Sequence, residues 1–162
     1  MCSMGTVKTE TRKAVRIAYL TYIGSYGKVP FDTSIPKLYE WVKRNRVMPG
    51  FYPMCIFLSD PKTTPPEECV TELAITFKGD AKPEEDIKIK DLPEMTVATL
   101  SHKAPASEYQ KSYDTLASWI MAKGYTVSGP PMEIYSKKPE MVDGQMIIYA
   151  KIMFPVVKLE RP

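Results

Sequence analysis

The apolar positions of the chain predict the order strand, helix, strand, strand, and then the same order a second time. Residues 14–23 are rich in β-branched and aromatic side chains and stop at Gly24, which reads as a strand. Phe31, Ile35, Leu38, Trp41 and Val42 are spaced to line one face of a helix. Asp32, Thr33 and Ser34 offer N-cap side chains, and Pro36 is tolerated in a first turn, so this helix is expected to start near Ser34. Met48, Pro49 and Gly50 end the connection. A strand over 52–58, a polar Pro-rich loop over 59–68 and a strand over 70–77 complete the half.

The second half is expected to place a strand over 95–101 before a helix carrying Tyr109, Tyr113, Leu116, Trp119 and Ile120. Lys123 and Gly124 form its C-terminal stop. A strand over 132–135, a loop over 136–144 and a strand over 146–154 follow. The join over 78–92 mixes charge with Gly79 and Pro83, and its Ile87 and Ile89 read as the lead-in to the second half. Residues 1–12 are polar and are expected to fray.

Sliding the chain along itself strengthens this reading. Residues 19–62 lie over 97–140 without a gap, and Thr21/Thr99, Ser34/Ser112, Leu38/Leu116, Trp41/Trp119, Pro53/Pro131, Met54/Met132, Ile56/Ile134 and Pro61/Pro139 are identical. Average composition would give roughly three such pairs. Both tryptophans of the chain fall opposite each other. The expected fold is α+β: tandem duplicated strand-helix-strand-strand modules with pseudo-twofold symmetry around a central groove. The repeats run over about 14–78 and 87–157 within a single domain over 13–162. Half a chain with one helix on a small sheet buries little surface, so the two copies are expected to join.

Composition removes several function classes. With 22 basic and 19 acidic residues the net charge of +3 is too weak and too mixed for a nucleic-acid binder. No apolar run approaches a membrane span, the N-terminal stretch lacks the apolar core of a secretory signal, and the chain reads as cytoplasmic. Cys2, Cys55 and Cys69 form no close pair, which argues against a disulfide framework. With one histidine, His102, they leave too few soft ligands for a zinc site, so neither metal nor cofactor is expected. His102, near a strand end, reads as a polar surface residue. The enrichments are 10 Tyr, 10 Met and 15 Pro.

Strand alternation gives the sharpest chemical inference. Met132 and Ile134 share one face of their strand, and Glu133 and Tyr135 share the other; Met54 and Ile56 are likewise opposed to Cys55 and Phe57. Since Met and Ile recur, their face is expected under the helices, leaving Cys55, Phe57, Glu133 and Tyr135 to line the groove. The repeat sets Glu133 where the other copy has Cys55. A carboxylate among aromatic rings loses hydration, which raises its pKa unless a cation or a hydrogen-bond donor offsets the loss. A lipophilic cation supplies charge and stacking together, each aromatic face contributing roughly 0.5–2 kcal/mol. Periodicity is equally consistent with Glu133 facing water at a sheet edge. Tyr22 and Tyr26 flank Gly24 where an apolar ring with a polar tip reaches a groove, and Trp119 is a further lining candidate. Glu67, Glu68, Glu84, Glu85 and Asp86 read as solvated loop charges, and Lys43, Arg44 and Arg46 as partners of a helix C-terminus.

The duplicated order, each helix ending in a tryptophan, and the segments Gly50-Phe-Tyr-Pro-Met-Cys-Ile-Phe57 and Gly129-Pro-Pro-Met-Glu-Ile-Tyr135 resemble the GyrI-like small-molecule-binding domain. This is the domain of DNA gyrase inhibitor proteins and of the effector-binding regions of AraC-type and MerR-type multidrug regulators. The resemblance covers about 16–157. It implies two modules around a central groove, with the carboxylate matching Glu133 at the base of an aromatic pocket for cationic, lipophilic ligands. It also implies pocket roles for the residue matching Tyr109 and for Tyr113 one turn on. No helix-turn-helix fits before Ala14, so the chain reads as a stand-alone form with no direct nucleic-acid binding. Gly24-Ser25-Tyr26 and Lys103-Ala104-Pro105 stand where regulators carry Gly-Pro-Tyr at a strand exit.

Three functions follow. The first is binding or sequestering hydrophobic, often cationic small molecules, with Glu133 setting charge preference. The second, implied by stand-alone relatives, is hydrolysis of cyclopropane-containing DNA-alkylating compounds with Glu133 as general base. The third is a protein-partner role, such as modulating gyrase.

Overall fold

A computed structural model describes residues 3–4 and 6–159. The strands are β1 (Ser3–Met4), β2 (Lys8–Arg12) and β3 (Val15–Ile23), followed by helix α1 (Phe31–Asn45). Then come β4 (Met48–Pro49), β5 (Met54–Phe57), β6 (Val70–Lys78), β7 (Lys88–Leu92) and β8 (Met95–Pro105). Helix α2 (Tyr109–Ala122), β9 (Tyr125–Val127), β10 (Met132–Val142) and β11 (Gln145–Lys158) close the order. The mixture is α+β, with the strand pairings inside each of the two units antiparallel.

The chain divides into two compact units, and each repeats the strand-helix-strand-strand order. In the first, Lys13–Glu94, the sheet runs β5, β6, β3, β7, with β4 added to the end of β6. Helix α1 lays Leu38, Trp41 and Val42 onto Ala18, Leu20, Ile75 and Phe77. Trp41 is fully buried, and its indole N–H donates to the Lys82 carbonyl at 3.0 Å, so the large ring carries no unmet polar atom. In the second unit the sheet runs β10, β11, β8, with β1 and β2 on the outer side of β8. There α2 packs Leu116 and Ile120 onto Ala98, Leu100, Ile152 and Val156.

Several sequence expectations change. Helix α1 begins at Phe31, three residues before Ser34, and Pro36 lies inside it. The amide that Pro36 lacks would have met the carbonyl of Asp32, an exposed residue whose carbonyl water can satisfy. No N-cap side-chain bond forms; Pro30 precedes the helix and its carbonyl accepts from the Ser34 amide at 3.0 Å. The 136–144 segment, expected as a loop, continues β10 and β11 as a long hairpin. Asp143 and Gly144 turn it with φ of 50° and 77°, and Pro139 sits at a register shift where no ladder amide is needed.

The expected lead-in to the second half instead belongs to the first unit: Ile89 lies in strand β7, which pairs with β3, and Ile87, just before it, bridges to Glu84. Lys8–Arg12, expected to fray, forms the matching edge strand on β8. A mixture of exposed and half-buried residues, with none fully buried, in both five-residue segments suits a sheet edge. Residues 1, 2 and 5, with Cys2 among them, lie outside the described residues.

Register also refines the internal match. Leu20 pairs with Leu73, which pairs with Cys55; Leu100 pairs with Ile152, which pairs with Glu133. Leu20 therefore corresponds to Leu100 and Tyr22 to His102, two residues away from the ungapped match, while Cys55 and Glu133 correspond as the sequence suggested.

Candidate functional site

Glu133 is one of the few charged side chains that the fold buries, at 5% exposure. It lies on β10 opposite Ile152, and Ile152 belongs to the core under α2. The Glu133 face is thus the helix face of the sheet. This reverses the expectation that Met132 and Ile134 would pack beneath the helix. The opposite face is also closed over at Met132 and Met153, so apolar Met content did not mark the helix side.

Three tyrosine hydroxyls converge on this carboxylate. Tyr109 donates to Oε1 at 3.1 Å and Tyr135 to the same oxygen at 2.9 Å, while Tyr113 donates to Oε2 at 2.5 Å. Tyr109 and Tyr113 stand one turn apart on α2, on the same side of the helix, with ring centroids 6.4 Å apart. Tyr135 follows Glu133 by two residues along β10 and so shares its face. Phe154, from β11, meets the Tyr113 ring edge-on at 5.8 Å.

No ion pair involves Glu133 among the described residues. Burial pushes its carboxyl above the ordinary glutamate value. The hydroxyls of Tyr113, Tyr135 and Tyr109 pull the other way and only partly offset burial. The site is therefore a desolvated acid held by neutral donors and walled by aromatic rings.

His102 is the residue that sequence reasoning misplaced. Far from being a surface residue, it is 1% exposed. It pairs across β8 and β11 with Ala150, which in turn pairs with Tyr135, so it stands on the helix face in the next row of the site. Its ring lies flat against Tyr109, with centroids 4.5 Å apart and planes parallel. Its nitrogens meet Ser112 Oγ at 2.8 Å and the Ala104 carbonyl at 3.1 Å. Strand alternation from Leu100 would have signalled this placement.

Of the remaining candidates, Trp119 belongs to the second unit and Cys55, Phe57, Tyr22 and Tyr26 to the first. Trp119 is at the far end of α2 from Tyr109, stacked on Tyr125. Cys55 is fully buried in the first unit. Phe57 there meets Tyr26 edge-on at 5.0 Å, and the Tyr26 hydroxyl donates to the Ser59 carbonyl at 2.6 Å. Tyr22 folds back over Gly24 so closely that a Cβ at Gly24 would come within 2.5 Å of the tyrosine oxygen. With Leu20, Thr33 and Ser34, Tyr22 lines a cleft of about 310 Å³ in the first unit. Among the described residues no three His, Cys, Asp or Glu gather to hold a metal ion, and no helix is long and apolar enough to cross a membrane.

The family model of the GyrI-like small molecule binding domain matches residues 6–157. The chain belongs to this family. A relative, the SPbeta prophage-derived protein YosT of Bacillus subtilis strain 168, is 25% identical over 154 residues, covering 93% of this chain and 98% of YosT. The crystal structure of the EcmrR C-terminal domain is similar with a TM-score of 0.76 at 19% identity, covering 95% of this chain and 98% of that domain. Against EcmrR in its DNA complex the TM-score is 0.79 at 18% identity, and the GyrI-like chain spans 58% of that longer chain. SAV2435 bound to tetraphenylphosphonium is similar with a TM-score of 0.52 at 11% identity, covering 94% of each chain.

Proposed function

We propose that this GyrI-like chain binds hydrophobic organic cations, with Glu133 as the charge anchor and Tyr109, Tyr113 and Tyr135 as its aromatic wall. The observation that carries the reading is a buried carboxylate ringed by tyrosine hydroxyls with no cation beside it among the described residues. Such an acid carries an unmet desolvation cost. A cation entering beside it supplies the missing charge, and flat apolar groups add burial at about 25 cal/mol per Å² together with contacts to ring faces.

Both oxygens of Glu133 already accept from hydroxyls. Three bonds against the roughly four that a carboxylate can accept hold its orientation firmly, as an anchor requires. SAV2435, a fold relative, carries tetraphenylphosphonium, a ligand of the chemistry proposed here. Its complex with this chain is the test. The account expects the phosphonium beside Glu133 with phenyl groups against the three tyrosines. A cation seated away from these four side chains overturns it.

A further inference from the structure

We propose that His102 is a positioning residue for the ligand anchor, holding the Tyr109 ring so that its hydroxyl points at Glu133. The proposal rests on the reading of Glu133 as an anchor and adds a device that gives the anchor its shape.

Tyr109 has a long way to reach. His102 is on β8 and Glu133 on β10, with β11 running between them. Tyr109 stacks on the first and bonds the second, so its ring bridges across the intervening strand. The β11 residue in the row joining His102 to Tyr135 is Ala150, whose single methyl leaves room for a ring above it. Over that gap the parallel face of His102 sets the plane of the Tyr109 ring.

The histidine is itself locked. A carbonyl oxygen only accepts, so the contact between Nε2 and Ala104 requires a proton on Nε2. In the neutral ring Nδ1 is then the acceptor, and Ser112 Oγ donates to it. Ser112 is fully buried on α2, three residues after Tyr109, so helix and strand are tied together at the stacked pair. Both ring nitrogens are spent on orientation. The first unit, with Tyr22 in the corresponding place and Phe31 at the start of its helix, has neither the lock nor the hydroxyl.

The test uses tetraphenylphosphonium and its neutral relative triphenylphosphine oxide as probes, at pH 8, with His102→Ala in wild-type and Tyr109→Phe backgrounds. The expected result is a loss of roughly tenfold in affinity for the cation in His102→Ala, little change for the neutral compound, and near-disappearance of the effect when Tyr109 is already Phe. His102→Phe, which keeps a flat ring, is expected to recover most of the loss. An equal loss for both probes, or an undiminished effect in the Tyr109→Phe background, overturns the proposal and leaves His102 a packing residue. Ligand-free protein gives an independent reading, because the chain has one histidine. Its ¹⁵N spectrum is expected to show the Nε2–H tautomer, and Tyr109 ring flips are expected to accelerate in His102→Ala. The opposite tautomer overturns the proposal even if that variant does not fold. If wild-type protein binds neither probe, the anchor reading fails, while the tautomer and ring-flip results still judge the positioning role.

Discussion

Cys55 and Glu133 hold the same place in their respective sheets, each opposite a buried branched residue, Leu73 and Ile152, on the strand that carries it toward the helix. The substitution does not stand alone. Phe31, Ile35 and Phe57 of the first unit correspond to Tyr109, Tyr113 and Tyr135 of the second. The acid and its three hydroxyl donors are present together in one copy and absent together in the other. An apolar site needs no donors, and a buried acid cannot do without them.

This correspondence predicts the outcome of Cys55→Glu. The new carboxylate would enter a fully buried position with no hydroxyl at any of the three matching places. The expected cost is about 3–5 kcal/mol in urea unfolding, the range for an uncompensated buried charge. Supplying Phe57→Tyr and Phe31→Tyr in the same chain is expected to recover part of it.

Glu133 makes folding stability depend on pH. Its folded pKa is raised, with burial the largest cause, so the folded state holds its proton to higher pH than the unfolded chain does. The favourable contribution is complete below the ordinary glutamate pKa and is lost as pH rises through the raised one. Relative to Glu133→Gln, wild-type stability is expected to fall across that window. Urea unfolding of both proteins at a series of pH values measures the difference. A flat difference would remove the desolvated acid from the account.

Tyr113→Phe isolates the closest donor. The ring and its edge contact with Phe154 survive, while the hydroxyl on Oε2 is lost. With one fewer donor to the charged form, the Glu133 pKa is expected to rise further. Cation binding at mildly acid pH should weaken several-fold and recover at higher pH, which a pH series of tetraphenylphosphonium titrations reads out.

How far the chain could be read in advance follows from which residues carry periodic information. The repeat exposed both helices, the strand pair β5 and β10 and the Cys55-to-Glu133 exchange, because those segments match without a gap. It misled at the first strands, where two extra residues between β3 and α1 shift the correspondence and set His102 against Gly24 in place of Tyr22. The helix-side face was misjudged because Met132 and Met153 are buried as well. The edge strand over Lys8–Arg12 escaped notice since an edge needs only half an apolar pattern.

That edge strand carries its own prediction. Removing residues 1–12 uncovers the outer side of β8 along seven register pairs, Ser3 with Lys103, Met4 with His102, and Lys8 with Thr99 through Arg12 with Met95. Melting is expected to fall by roughly 5 °C or more, with concentration-dependent association through the bared edge. Thermal unfolding and size-exclusion chromatography check both. An unchanged, monomeric protein would show that these pairs contribute little.

Calorimetric titration of tetraphenylphosphonium into wild-type protein and Glu133→Gln at pH 8 tests the central claim most directly. The account predicts binding at least roughly tenfold weaker in the variant, with affinity for triphenylphosphine oxide changed by less than about twofold. Equal affinity of the two proteins for the cation would contradict it.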